Sequence, residues 1–284
     1  MPNTNDIRSH IAAIEQTRKI TGAMEMVSSN RMRQVMGHIE QNRLYFANIR
    51  RAMRELLTSF EDIRHPYFVG RPRRHTTFLV ISGDKGLCGS HNSAVLNYAL
   101  GRLSETPNAA LVTLGNTAED FFISRGIVPD IVLLSIAQDP TLAKARKVAR
   151  ELTYLYESEL TDDIRIIFTS FYGDSKGKPV EFRLLPIILH DYDDVRDAEI
   201  LSEIMYHPSA QSVFDMLVPQ YTIGLVFGVM VQAYASEHFA RMTAMHSATS
   251  NAQEMLNDLR IRYNLARQSA ITNEIAEISG QTVN

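Results

Sequence analysis

Apolar residues recur at steps of three and four from about Asn5 to Thr58, at Ile7, Ile11, Ile14, Met32, Val35, Ile39, Phe46, Ile49, Met53 and Leu56, and no proline interrupts them. That period predicts one long helix. At 1.5 Å per residue it would span on the order of 80 Å, more than a compact domain covers, so another element must shield its stripe. The C-terminal third supplies a candidate: Leu217, Tyr221, Gly224, Gly228, Val231, Ala235, His238, Met242, Met245, Thr249, Ala252, Leu256, Leu259, Tyr263, Ala266 and Ala270 keep the same stepping. Roughly seven or eight heptads in one register exceed the three or four that argue for a coiled coil. Counting ionisable groups gives about +4 on the first helix and about −2 on the second, so their pairing is electrostatically permitted. Two amphipathic helices in an ordinary bundle are the alternative.

Between these ends the period changes. "TTFLVIS", "AALVTLG", "PDIVLLSI" and "DIRIIFTSF" are short β-branched runs separated by helical segments, among them "DPTLAKARKVARELTYLYESEL" with its aspartate-proline start. That alternation predicts a parallel or mostly parallel sheet covered by helices. "VEFRLLPIIL" adds a strand, placed at an edge by Pro186. "HPYFVGRPRRH" reads as the linker into this domain and "YHPSAQ" as the linker out, which divides the chain into an N-terminal helix over 1–64, a central α/β domain over 65–207 and a C-terminal helix over 208–284. The uncharged stretch 216–236 has membrane-spanning length and a small-xxx-small pair, Gly224 and Gly228. Pro219, Gln220, Thr222 and Gln232, and a register that continues into charged sequence, favour a buried helix with close backbone approach.

Composition narrows function by exclusion. With 284 residues, 21% charged and a net charge of −3, the chain has no excess of basic residues for general nucleic-acid binding. Cys88 is the single cysteine, so no intrachain disulfide framework exists and a reducing compartment is expected. The opening "MPNTNDIRSH" has neither the layout of a secretory signal nor that of a transit peptide, and a cytoplasmic protein is expected. "SGDKGLCGS", residues 82–90, lies between a predicted strand and a predicted helix, as phosphate loops do. Yet Lys85 precedes Gly86, and Gly83, Gly86 and Gly89 are three apart, which fits neither the Walker nor the dinucleotide spacing. No metal or nucleophile motif is present, and the acidic "HDYDDVRDAE" reads as a solvated loop rather than a cation site.

Three segments carry a family resemblance. "IRSHIAAIEQTRKITGAMEMVSSNRMR", "SGDKGLCGS" and "ASEHFARMTAMHSATSNAQEM…YNLARQSAITNEIAEI" resemble, in order and nearly in spacing, the signatures of the gamma subunit of F-type ATP synthases. The resemblance implies an α/β fold class in which the terminal helices form a long antiparallel coiled coil beside a central Rossmann-like α/β domain. It implies a torque-transmitting central rotor without a catalytic site, cofactor or metal of its own. The implied partners are the alpha and beta subunits of the catalytic ring, the epsilon subunit and the c-ring, in a complex bound peripherally at the cytoplasmic face of a bacterial membrane. By match to the family's motifs, Arg267, Gln268, Thr272 and Met24 would touch the beta subunit, Cys88 would lie by the lower face of the ring, and Tyr206 and His207 would meet the membrane ring or epsilon. Gly22 and His246 stand where relatives commonly carry lysine, which removes positive charge near the acidic lever of beta and leaves packing contacts to carry more of the coupling, and His207 stands where glutamate is common. A mid-helix glycine also costs about 1 kcal/mol against alanine. Rival readings are a rotor in a hydrolysis-specialised or sodium-coupled complex, a nucleotide-binding Rossmann-like module, and an unrelated coiled-coil adaptor.

Overall fold

The computed structural model describes residues 4–60, 62–133, 139–171, 177–188 and 206–281, and within these the side chains other than those of 39–43, 274 and 277–281. Ile39, the end of the third predicted strand and the acidic stretch 190–199 lie outside what is described. The proline-free stretch forms helix α1, Thr4–Ser59, and the C-terminal third forms helix α5, Ala210–Gln281. The chain falls into two compact units: residues 1–30 with 241–284, and residues 31–240.

The larger unit contains a five-stranded sheet. Strands β1 (Thr76–Ile81), β2 (Ala109–Leu114), β3 (Ile131–Leu133), β4 (Asp163–Thr169) and β5 (Pro179–Leu185) lie in the order β3-β2-β1-β4-β5. The first four are parallel and β5 is antiparallel at the edge, where Pro186 follows it. Parallel neighbours need crossovers, and helices α2 (His91–Glu105), α3 (Asn116–Ile123) and α4 (Leu142–Glu157) supply three of them. The start of α4 is capped by Thr141, whose hydroxyl accepts from Lys144 N at 3.3 Å. The segment expected as a linker is structured too: Pro66–Phe68 forms a 3-10 turn with Tyr67 buried, and Ile187 N donates to Tyr67 O at 2.7 Å.

Alternation along the strands sorts side chains to two faces. Phe78, Val80, Leu111 and Ile167 pack with Val95, Leu96 and Ala99 of α2 and with Ala118 and Phe122 of α3. The opposite face, with Leu79, Ile81, Val112, Leu114, Ile164, Ile166 and Phe168, receives Val148 and Leu152 of α4. Ile49, Met53 and Leu56 of α1 and Phe214, Val218, Tyr221, Val226 and Met230 of α5 complete that core. The apolar stretch of α5 that is long enough to cross a membrane is therefore a core helix: Tyr221, Thr222, Val226, Val231 and Ala235 are all buried. Close approach is met at Gly224, where an added Cβ would stand 1.7 Å from the Phe46 ring. Phe46 also meets Tyr221 edge-on, with centroids 6.1 Å apart.

An ionic network centred on one buried carboxylate braces β4 and β5. Asp163, 1% exposed, accepts from Arg165 Nε at 2.6 Å and has Arg73 and Arg183 at 3.4 and 3.3 Å. Glu181 accepts from Arg102 Nε at 2.7 Å and from Arg165. Burial pushes the Glu181 carboxyl up, but the hydrogen bonds from Arg102 and Arg165 outweigh it and hold the group below the usual carboxylate range.

Two stability predictions follow from this packing. Gly224→Ala is expected to cost about 1–3 kcal/mol in chemical denaturation, with partial recovery when Phe46→Leu is added. A depressed carboxyl contributes stability that is present above its unfolded value, 4.5, and is lost as pH falls through the lower folded value. Glu181→Gln should therefore be less stable than the parent at neutral pH, and the difference should shrink as the pH is taken below 4.5.

Candidate functional site

The smaller unit pairs the two terminal helices. Glu15 meets Arg260 at 2.8 Å, Arg18 donates to Gln253 at 3.0 Å, Thr249 donates to Thr21 at 2.8 Å, and His246 Nδ1 lies 3.0 Å from Glu25. Each step forward along α1 is matched by a step back along α5, so the helices run antiparallel. Ile7, Met245, Ala252 and Leu256 form the buried seam beneath this ladder. His246 is thus placed beside a carboxylate of the paired helix. Gly22 has open space around it, since an added Cβ would meet nothing within 4 Å.

The expected contact residues fall in separate places. Arg267, Gln268 and Thr272 are exposed on α5 in the smaller unit, Gln268 and Thr272 one turn apart and joined by Thr272 Oγ1 donating to Gln268 O at 2.9 Å. Met24 is half-buried on α1 in the same unit. In the larger unit, Tyr206 is half-buried and meets the Phe60 ring edge-on at 5.9 Å, while His207 is exposed. Burial and the Glu55 carboxylate push the Tyr206 phenol above its ordinary range. An aromatic group missed in the sequence reading lies on the same core: His65 packs edge-on against Tyr67, Phe68 and Phe214, and burial holds its imidazole below the usual value against the opposing pull of Asp215 and Glu157.

Cys88, expected by the lower face of the ring, lies inside the glycine turn. Its thiol is 2% exposed, with Sγ 4.0 Å from Lys85 O, so a partner reaching this turn meets Leu87, 62% exposed, together with Lys85 and Gly86. The left-handed positions of the turn are Leu87, at φ 62°, and Gly89. Several of its polar groups bond within the chain. Gly83 N donates to Asn92 Oδ1 at 3.1 Å, Asn92 Nδ2 donates to Lys85 O at 3.2 Å, and Asn116 N, at the start of α3, donates to Asp84 Oδ1 at 3.0 Å. Thr117 donates its hydroxyl to Gly83 O. The Gly83 and Asn116 amides, near the ends of the parallel strands, are directed at Asn92 and Asp84.

A protein-family model described as ATP synthase matches residues 3–282. The ATP synthase gamma chain of Heliobacterium modesticaldum is 33% identical over 284 residues, covering 99% of this chain and 98% of that one. The ATP synthase gamma chain of Symbiobacterium thermophilum is 35% identical over 281 residues, covering 98% and 96%. Among solved structures, the rotor of Euglena gracilis mitochondrial ATP synthase in rotational state 1 aligns over 94% of this chain and 98% of that one, with a TM-score of 0.64 at 16% identity. A chain of the Tetrahymena thermophila mitochondrial ATP synthase central stalk and c-ring aligns over 81% and 99%, with a TM-score of 0.59 at 21% identity. Both likenesses are of fold.

The paired helices should respond unequally to substitution. Leu256→Ala is expected to cost about 2–5 kcal/mol. Arg260→Ala, which removes a pair with partners 56% and 38% exposed, should cost under about 1 kcal/mol. Gly22→Ala should stabilise by up to about 1 kcal/mol. Helical circular dichroism against denaturant checks all three.

Proposed function

Because the chain belongs to the ATP synthase gamma-chain family, we propose that it is the rotor shaft of such an enzyme, transmitting torque between an ion-driven membrane ring and a catalytic ring. In this reading the α/β domain takes up rotation and the paired helices deliver it. The observation that carries the reading is the antiparallel pairing of α1 and α5 in the smaller unit, a buried seam edged by polar contacts, with Arg267, Gln268 and Thr272 exposed beyond it. Such a surface can present different contacts to successive conformations of one partner, which is the differential interaction a conformational driver needs.

The finer assignments follow the family motifs. Arg267, Gln268 and Thr272 contact a loop of the beta subunit, and Met24 faces its lever from the half-buried position on α1. Leu87, Lys85 and Gly86 form the outer surface of the glycine turn near the catalytic ring, with Cys88 supporting them from within. Tyr206 and His207 meet the c-ring or epsilon subunit. The complex sits at the cytoplasmic face of a bacterial membrane. Surface ion pairs of the Glu15–Arg260 kind contribute little each, so sterics and packing carry most of the transmitted energy. His246 is held beside Glu25 on the paired helix.

Reconstitution with alpha and beta subunits from the same source tests this reading. One copy per ring is expected, with ATP hydrolysis falling severalfold in Arg267→Ala/Gln268→Ala while assembly is kept. A chain that stays out of the ring and binds ATP by itself would refute it.

A further inference from the structure

The glycine turn after β1 is filled from within the chain. A Cβ built on Gly83 would stand 2.8 Å from the carboxylate carbon of Glu237 on α5, and 2.9 and 3.0 Å from its two oxygens. The carboxylate occupies the space a side chain at Gly83 would take, and a substitution there would displace it. What remains of the crevice is a cavity of about 10 Å³ lined by Ser82, His91, Tyr234 and Glu237 among apolar neighbours, room for a single water and too small for a phosphate. Next to it Ser236 Oγ donates to Ser170 O at 3.5 Å, and the Phe239 ring meets Phe171 at 6.2 Å. Val35, Phe171, Val231, Tyr234 and Ala235 close an apolar cluster around the helix.

We propose that Glu237 is a positioning residue, a lug seated in the socket at Gly83 that locks the turn after β1 to α5 and passes torque from the α/β domain into that helix. Apolar side chains packed around a helix can yield to it by small shear or rolling motions. Glu237 adds to that packing a contact tied to one place on the sheet, because turning α5 about its own axis carries the carboxylate against or away from the turn at Gly83. The turn itself is anchored to the sheet and to α2 and α3 through Asn92, Asp84 and Thr117, so load on the lug spreads into the domain. The clasp stands on geometry alone, while its role in torque rests on the rotor reading.

Cys88 makes the clasp measurable, being the only thiol in the chain, inside this turn and buried. Its reaction with dithiobis(nitrobenzoate) reports local opening of the turn in the full-length chain. Glu237→Ala is expected to raise that rate at least about tenfold, with the global melting temperature moved little. Glu237→Gln, of the same shape, should stay near the parent rate. Gly83→Ala should also raise the rate, yet add nothing on top of Glu237→Ala, because the clashing partner is then gone. Unchanged labelling in Glu237→Ala, or a Gly83→Ala effect of equal size with and without Glu237, would overturn the clasp. In the assembled membrane complex, Glu237→Ala should lower the ions pumped per ATP hydrolysed, while hydrolysis by the catalytic ring with this chain alone persists. Unchanged pumping overturns the torque role. Failure of the chain to enter the ring overturns the rotor reading instead, and leaves the labelling result standing.

Discussion

The structure depends on burying the apolar stripes of two helices that lie at opposite ends of the chain. In the larger unit Ile49, Met53 and Leu56 of α1 and Phe214, Val218, Tyr221 and Met230 of α5 share one core with Leu79, Ile81 and Ile166 of the sheet. Each such side chain removed from water contributes roughly 1.5–3 kcal/mol, so the helices are structural members of the α/β domain and not appendages of it. Neither stripe could be satisfied alone. Gly224 shows how closely they meet, since the Phe46 ring occupies the volume a side chain there would need.

Polar groups divide into two kinds. The network around Asp163 and Glu181 joins β4, β5 and α2, with Asp163 fully buried and shared among several arginines, so removing Asp163 would leave those cations without their common partner. The ladder of the smaller unit is exposed, weak rung by rung, and sets the register of two helices whose outer faces stay available. This division suits a shaft, with a stiff body for receiving load and a paired helical segment whose surface can be read by a partner. The filled glycine turn belongs to the stiff part. A fold that elsewhere opens a crevice at the ends of its parallel strands here closes it with Glu237 and Asn92, turning a ligand site into a joint.

Much of this was legible in the sequence because periodicity reports burial directly. The two long helices, the run of short parallel strands and the edge position of the strand before Pro186 all follow from residue spacing. The stretch 216–236 was legible as a core helix from its polar interruptions and continuing register. Other features carried no local signal. Asp163, Arg165, Glu181 and Arg102 come together across about eighty positions, and Arg165 and Arg183 read as ordinary alternating surface residues of strands. The Gly83 to Glu237 contact spans more than half the chain, so the glycine looked like a phosphate-loop residue. Cys88 shares a motif with exposed neighbours, and only packing shows that its thiol points inward. The proposed contact residues near the end of α5 come from family motifs alone, since exposed polar helix positions look alike in any single sequence.

Rotation of the α/β domain relative to the catalytic ring tests the central claim most directly. Val128 is 79% exposed on that domain, and a probe attached at Val128→Cys in a Cys88→Ser background can be followed in complexes fixed through their alpha and beta subunits. The account predicts sustained rotation of the probe in one direction while ATP is hydrolysed, stopping when ATP is removed. A probe that stays still while hydrolysis proceeds at its usual rate would contradict it.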